Sequence, residues 1–178
     1  DSDTFDDVVA AIGSPPNGAL AVYTSASGPP ANVQNVSAQE PVAIAVGALD
    51  NPTADAVYVD AASDKVWVAV QQSGSFAAPV AFPSGPDTTG ARPVALALGQ
   101  LDEDGHIDVI TADQDGNSVT TLFNNGTGSL ELGASTSIAG NTGVTGARPV
   151  AVALGDVDAD GDLDAITANE GSGGGASL

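Results

Sequence analysis

Three segments of the chain are near copies of one another: PVAIAVGALD at 41–50, PVALALGQLD at 93–102 and PVAVALGDVD at 149–158. Self-similarity at a spacing of roughly fifty residues fixes the architecture before any local preference does, because each unit must bury its apolar face against the next. The last two copies share a longer lead, GARPVA, and each copy runs into an acidic stretch followed by an apolar, strand-like run: NPTADAVYVDA, EDGHIDVITAD and ADGDLDAITAN. The opening DSDTFDDVVAA reads as the second half of a further unit. The 178 residues therefore divide as one repeat domain, with a partial unit at 1–40, units at 41–92 and 93–148, and a partial unit at 149–178.

Inside the units, ALAVYT (19–24), KVWVAV (65–70) and SVTTLF (118–123) carry the β-branched and aromatic residues that favour strands. Turn residues separate them: PPNG (15–18), SGPP (27–30), SDK (63–65), QDGN (114–117) and NNGTG (124–128). No stretch holds a helical period, and 22 Gly with 11 Pro would interrupt one. About four strands in roughly fifty residues suit a propeller blade better than the shorter, more regular coil of a parallel β-helix. The expected fold is all-β, with four-stranded antiparallel blades, about three and a half of them in the chain.

The third acidic stretch, GDVDADGDLDAITAN (155–169), sets Asp156, Asp158, Asp160, Asp162 and Asp164 on alternate positions. Carboxylates this close repel by about 1 kcal/mol per pair in water. A hard cation such as calcium removes that conflict, since it takes six to eight oxygens and alternate carboxylates on a curled loop converge on one ion. Counted from Asp156 the pattern is D-x-D-x-D-G-x-x-D, with Gly161 allowing the sharp turn. By analogy with other loops of this spacing, Asp162 at position seven would give its backbone carbonyl. An EF-hand would need a Glu at position twelve between helices, but Thr167 stands there in a strand-like run. A dockerin-type loop also leads into a helix.

Composition narrows the chemistry further. With no Cys and no Met, thiol catalysis, disulfides and thiolate metal sites are absent, so any metal is held by oxygen. A net charge of −20, with only Lys65, Arg92 and Arg148 as cations, repels nucleic acid and anionic lipid. No apolar run approaches the roughly 18 residues of a membrane span.

RPVAVALGDVDADGDLDAITAN (148–169) resembles the FG-GAP or VCBS repeat family, found in integrin α-subunit heads, some lectins and many bacterial surface proteins. The resemblance runs through nearly the whole chain and is fullest in the last two units. It implies β-propeller blades with a calcium loop joining the first two strands of each. Carried across by position, it gives Asp156, Asp158, Asp160 and Asp164 as side-chain ligands of Ca2+. At 100–108 it gives Asp102, Asp104 and Asp108, with Gln100 as a neutral donor at position one and His106 at the main-chain position, its ring toward solvent. Asp1, Asp3 and Asp7 fit positions three, five and nine of another loop. At 48–55 only Asp50 and Asp55 remain, with Ala48 and Pro52 in place of ligands, and that loop is expected to hold no ion.

No nucleophile, base and orienting acid can be assembled around the one His, and no phosphate-cradling glycine loop with a lysine occurs, so the chain is not expected to be an enzyme. The expected role is an extracellular or cell-surface structural and adhesive repeat, since open calcium sites fill at ~10⁻⁴ to 10⁻³ M. Partners would be other chains or copies of itself, paired through strand edges left at the ends; the alternative is a closed four-bladed ring. A lectin-like propeller that stacks glycans on Trp67, Tyr58, Phe76 and Phe82, or a non-catalytic domain of a glycan-active enzyme, is the second reading. Asn35 and Asn125 head N-glycosylation sequons.

Overall fold

The computed structural model describes residues 8–14, 17–23, 32–35, 40–50, 52–72, 75–86, 90–138, 146–171 and 176–177. Asp1, Asp3 and Asp7, and the SGPP turn at 27–30, lie outside them. Every regular element among the described residues is a strand. β1 (Val8–Ser14), β2 (Asn17–Tyr23) and β3 (Asn32–Asn35) form one antiparallel sheet. β4 (Pro41–Gly47), β5 (Asp55–Asp60) and β6 (Lys65–Ala69) begin the second; a short hairpin of β7 (Gln71–Gln72) and β8 (Ser75–Phe76) intervenes before its fourth strand, β9 (Val80–Pro83). The third holds β10 (Pro93–Gly99), β11 (Asp108–Asp113), β12 (Ser118–Asn124) and β13 (Leu130–Ser137), and the last β14 (Pro149–Gly155), β15 (Asp164–Asn169) and β16 (Ala176–Ser177). The expectation of antiparallel, four-stranded all-β sheets is met in the second and third units.

The repeated sequence is read out as repeated geometry. Each PVA strand opens on a proline, which has no N–H to donate, and the ladder slips by one residue directly after Pro41, Pro93 and Pro149. The sheets then stand face to face in chain order, β1 against β4, β4 against β10 and β10 against β14. Alternation sorts side chains by size: Leu96 and Leu98 point back toward the second sheet, where they pack on its core. Ala95, Ala97 and Gly99 point forward. A Cβ at Gly47 would lie 2.8 Å from Leu98 Cδ1, and one at Gly99 would lie 2.6 Å from Leu154 Cδ1, so each glycine is the socket for the next unit's leucine. A Cβ at Gly155 would meet nothing within 4 Å.

Between the second and third sheets Leu49, Val57, Val59, Val66 and Val68 meet Val109, Leu122 and Leu130 in one buried cluster. The hairpin turns lock the stack at the end where the PVA strands begin. Asp64 and Asn117 take left-handed conformations (φ 55° and 52°), which Asp and Asn tolerate best among residues with a Cβ. Each then accepts from the lead into the next PVA strand: Asp64 Oδ1 from Arg92 N at 2.6 Å and Oδ2 from Gly90 N at 2.7 Å, Asn117 Oδ1 from Arg148 N at 3.0 Å.

Asp113 closes β11 fully buried, accepting from Thr111 Oγ1 at 3.0 Å and Thr120 Oγ1 at 2.6 Å. Burial pushes its carboxyl up to about 6 against the pull of those hydroxyls. The folded chain therefore binds this proton more tightly than the unfolded chain, and the group adds stability as pH falls from above 6 toward 4. Two outcomes are expected. The stability of wild type relative to Asp113→Asn rises from pH 7 to pH 4 by up to about 3 kcal/mol, measured by urea unfolding at each pH. Gly99→Val costs about 1–3 kcal/mol while Gly155→Val stays within about 0.5, measured by the same titration at neutral pH.

Candidate metal centre

Both aspartate-rich loops curl by the same local bonds. In 156–164, Asp158 Oδ1 accepts Asp160 N at 3.1 Å and Asp160 Oδ1 accepts Asp162 N at 2.9 Å. In 100–108, Asp102 Oδ1 accepts Asp104 N at 3.2 Å and Asp104 Oδ1 accepts His106 N at 2.8 Å. These successive turns, each an aspartate binding the amide two residues on, are what alternate spacing makes available. The backbone is left-handed at position four (Glu103 φ 64°, Ala159 φ 63°) and again at position six (Gly105 φ 90°, Gly161 φ 104°). Only the second of these has a glycine to suit it, so the loops store strain at position four.

The curl gathers Asp102, Asp104 and Asp108 in one loop, and Asp156, Asp158 and Asp164 in the other, each with carboxylate oxygens within 4.8 Å of one another. Oxygens bound at 2.3–2.6 Å around one calcium stand at most about 5 Å apart, and an all-oxygen donor set is what a hard cation takes. Both triples fit such an ion. The two are not the same triple. Neither Asp160 nor Asp162 is brought into the second set, and the side chains of both are exposed. Asp156 instead ties the loop across, its Oδ1 accepting Ala159 N at 2.7 Å and its Oδ2 accepting Gly161 N at 3.1 Å. Gln100 makes no such bond and lies across the loop with Nε2 4.0 Å from the Cβ position of Gly105.

The aspartate at position nine has a role that spacing alone does not reveal. Asp108 Oδ2 accepts Leu101 N at 2.8 Å and Oδ1 accepts Asn124 N at 2.9 Å, tying the loop's entry to the end of the third strand. Asp55 likewise accepts from Leu49 N and Asp50 N at its loop entry, and from Gln71 N in β7, just past the third strand. Burial raises the Asp108 carboxyl, with Asp102 and Asp104 adding to the rise and the two amides opposing it. The loop at 48–55 gathers no metal-holding group among the described residues. Its Asp50 carboxyl is raised by burial and then by Asp55.

His106 departs from expectation: its ring does not face solvent. The imidazole lies over the 124–128 loop, where a Cβ on Gly126 would fall 2.4 Å from its Cε1, and Nδ1 is buried without a hydrogen-bond partner among the described residues. Nor do the aromatics make an exposed platform. Tyr58 is fully buried and stacks on Trp67 with ring centres 6.1 Å apart, Phe76 joins that cluster, and Phe82 packs against the other. Asn125 is exposed on its loop, while Asn35 ends β3.

Sequence reasoning missed Asn124, whose signal was its place in NNGTG directly after a strand. Its Nδ2 donates to Leu49 O at 2.9 Å in the second unit and to Ile107 O at 3.0 Å in its own, while Oδ1 accepts Gly126 N and Gly128 N. Asn124→Ala strips two carbonyls of their partner, and thermal or urea unfolding should show a loss of about 2–4 kcal/mol.

Comparison with known proteins meets the geometry in the last two loops. None of the curated proteins matches the chain. Residues 100–167, from the first base of the Gln100 loop through the second loop into β15, match the family model described as FG-GAP-like repeat, so this stretch is similar to that repeat.

Proposed function

We propose that the chain is a calcium-stabilised structural and adhesive repeat module that works outside the cell or on its surface, and that it is not an enzyme. The observation that carries this reading is the pair of loops that each bring three carboxylates within 4.8 Å. Calcium answers the donor chemistry, since every side-chain donor in the triples is a carboxylate oxygen and borderline metals favour nitrogen or sulfur. Open, exposed loops of this kind fill at ~10⁻⁴ to 10⁻³ M, a concentration found outside cells. The FG-GAP-like repeat at 100–167 supports the same setting. The ion acts on stability and shape: it offsets repulsion between the acidic side chains and holds the first two strands of the last two units in register. The rigid stack then offers its strand edges and loops to other chains.

Calcium titration followed by calorimetry tests this. Melting should rise with calcium by the equivalent of about 1.4 kcal/mol per site at ten times the dissociation constant, and fall back with a chelator. Asp158→Asn should remove one site's share, Asp160→Ala less, and Asp50→Asn none. Identical melting with calcium and with chelator would sink the proposal.

A further inference from the structure

The turn at 124–128 stands between two acidic loops, its own unit's at 100–108 and the second unit's at 48–55. Its own loop meets it at three points. Asn124 N donates to Asp108 Oδ1 at 2.9 Å, Asn124 Nδ2 donates to Ile107 O at 3.0 Å, and the His106 ring lies over Gly126. On its other side the turn grips the second unit. The same Nδ2 donates to Leu49 O at 2.9 Å, and a Cβ on Gly128 would stand 2.8 Å from Val70 Cγ1 and 3.8 Å from Asp50 Cβ. Asn124 Oδ1 closes the turn itself by accepting Gly126 N and Gly128 N. One buried side chain thus links the backbone of a loop that gathers three carboxylates to that of a loop that gathers no metal-holding group among the described residues.

The mirrored position in the second unit is Gln71, whose N donates to Asp55 Oδ1 as Asn124 N does to Asp108 Oδ1. There the side chain is not so well used: Gln71 Oε1 is buried without a hydrogen-bond partner among the described residues. The carboxylates of Asp102, Asp104 and Asp108 repel one another at their spacing, and that repulsion loosens the two groups, Asp108 Oδ1 and Ile107 O, against which Asn124 is braced. A cation among them fixes both.

We propose that Asn124 couples the ion site at 100–108 to the second unit, so that calcium held in one unit's loop tightens the loop of the unit before it. The inference rests on the calcium reading above and adds a residue that reading does not need. Coupling of this kind is reciprocal: the factor by which the ion tightens the bridge is the factor by which the bridge tightens the ion. Asn124 is then a positioning residue of the site, acting through Asp108 and Ile107.

Amide hydrogen exchange and calcium titration, both followed by NMR on the full chain, test this. Calcium should slow exchange at Asp104 and His106 in the loop, and also at Leu49 and Asp50 in the second unit, by about fivefold or more. Asp104→Asn should remove both effects with Asn124 in place. In Asn124→Ala, calcium should bind the 100–108 loop about fivefold more weakly or worse, the 156–164 loop should keep its affinity within about twofold, and Leu49 and Asp50 should lose their calcium-dependent protection. Wild type in which calcium protects Asp104 and His106 but not Leu49 and Asp50 overturns the coupling and leaves the calcium reading standing. Protection at none of the four overturns both. Unchanged affinity at 100–108 in Asn124→Ala, or an equal loss at both loops, which marks general loosening, also overturns it. If Asn124→Ala does not fold, the comparison of wild type with Asp104→Asn decides.

Discussion

The rest of the structure hangs on a buried carboxylate. Asp55 and Asp108 are each fully buried where the second strand of their sheet begins, and neither is paired with a cation among the described residues. An unpartnered charge there would cost several kcal/mol, which the amides pointed at it offset in part. Those amides come from the loop entry and from the end of the third strand at Asn124 or, at Gln71, from β7 just beyond it, so one side chain ties the loop, the second strand and the chain leaving the third. The acidic loop is thereby shaped before any ion enters it. Asp102 and Asp104 raise the charge problem at Asp108, and a cation among them would relieve it.

Repeated backbone does not mean repeated chemistry. Tyr58 and Trp67 are register partners in the second sheet, Thr111 and Thr120 in the third, Thr167 and Ser177 in the fourth. Where two rings stack, the neighbouring unit substitutes hydroxyls bonded to Asp113. The ring pair fills volume by itself but leaves the Tyr58 hydroxyl and Trp67 Nε1 buried without partners among the described residues. The hydroxyl pair is smaller and requires an acceptor, which Asp113 supplies at the cost of a displaced proton affinity. At Gly47 and Gly99, which end the first two PVA strands, the neighbour's leucine occupies the space a side chain would need.

Strands were legible because alternation and turn residues are local: the hairpin turns at 63–65 and 114–117 and the strands around KVWVAV and SVTTLF stand where the residues put them. The loops were legible for the same reason, since an aspartate binding the amide two residues on is written in the spacing itself. What spacing could not convey is contact between units. His106 was expected in solvent, yet the glycine that admits its ring lies twenty residues on, in a different turn. Asn124 joins residues 75 positions apart, and no local pattern announces a bond of that span. The aromatic residues likewise read the same whether they face a sugar or a neighbouring sheet; only the stack of sheets decides.

Charge placement follows from topology as well. Lys65, Arg92 and Arg148 all sit at the end of the sheets where the PVA strands begin, away from the acidic loops. There Arg92 bonds Gln114 and approaches Glu40 at 3.8 Å, Gln114 Nε2 donates to Glu170 at 2.9 Å, and Arg148 reaches Glu170 at 3.1 Å and Asp115 at 3.0 Å. Exposed pairs of this kind contribute about 0–1 kcal/mol each, so the chain of contacts serves mainly to align three successive units. A strand of six or seven residues separates that end from the loops, roughly 20 Å at ~3.3 Å per residue. The distance is about two Debye lengths at physiological salt. The chain's own cations therefore do not screen its loops, and the compensating charge for those carboxylates has to arrive from solution.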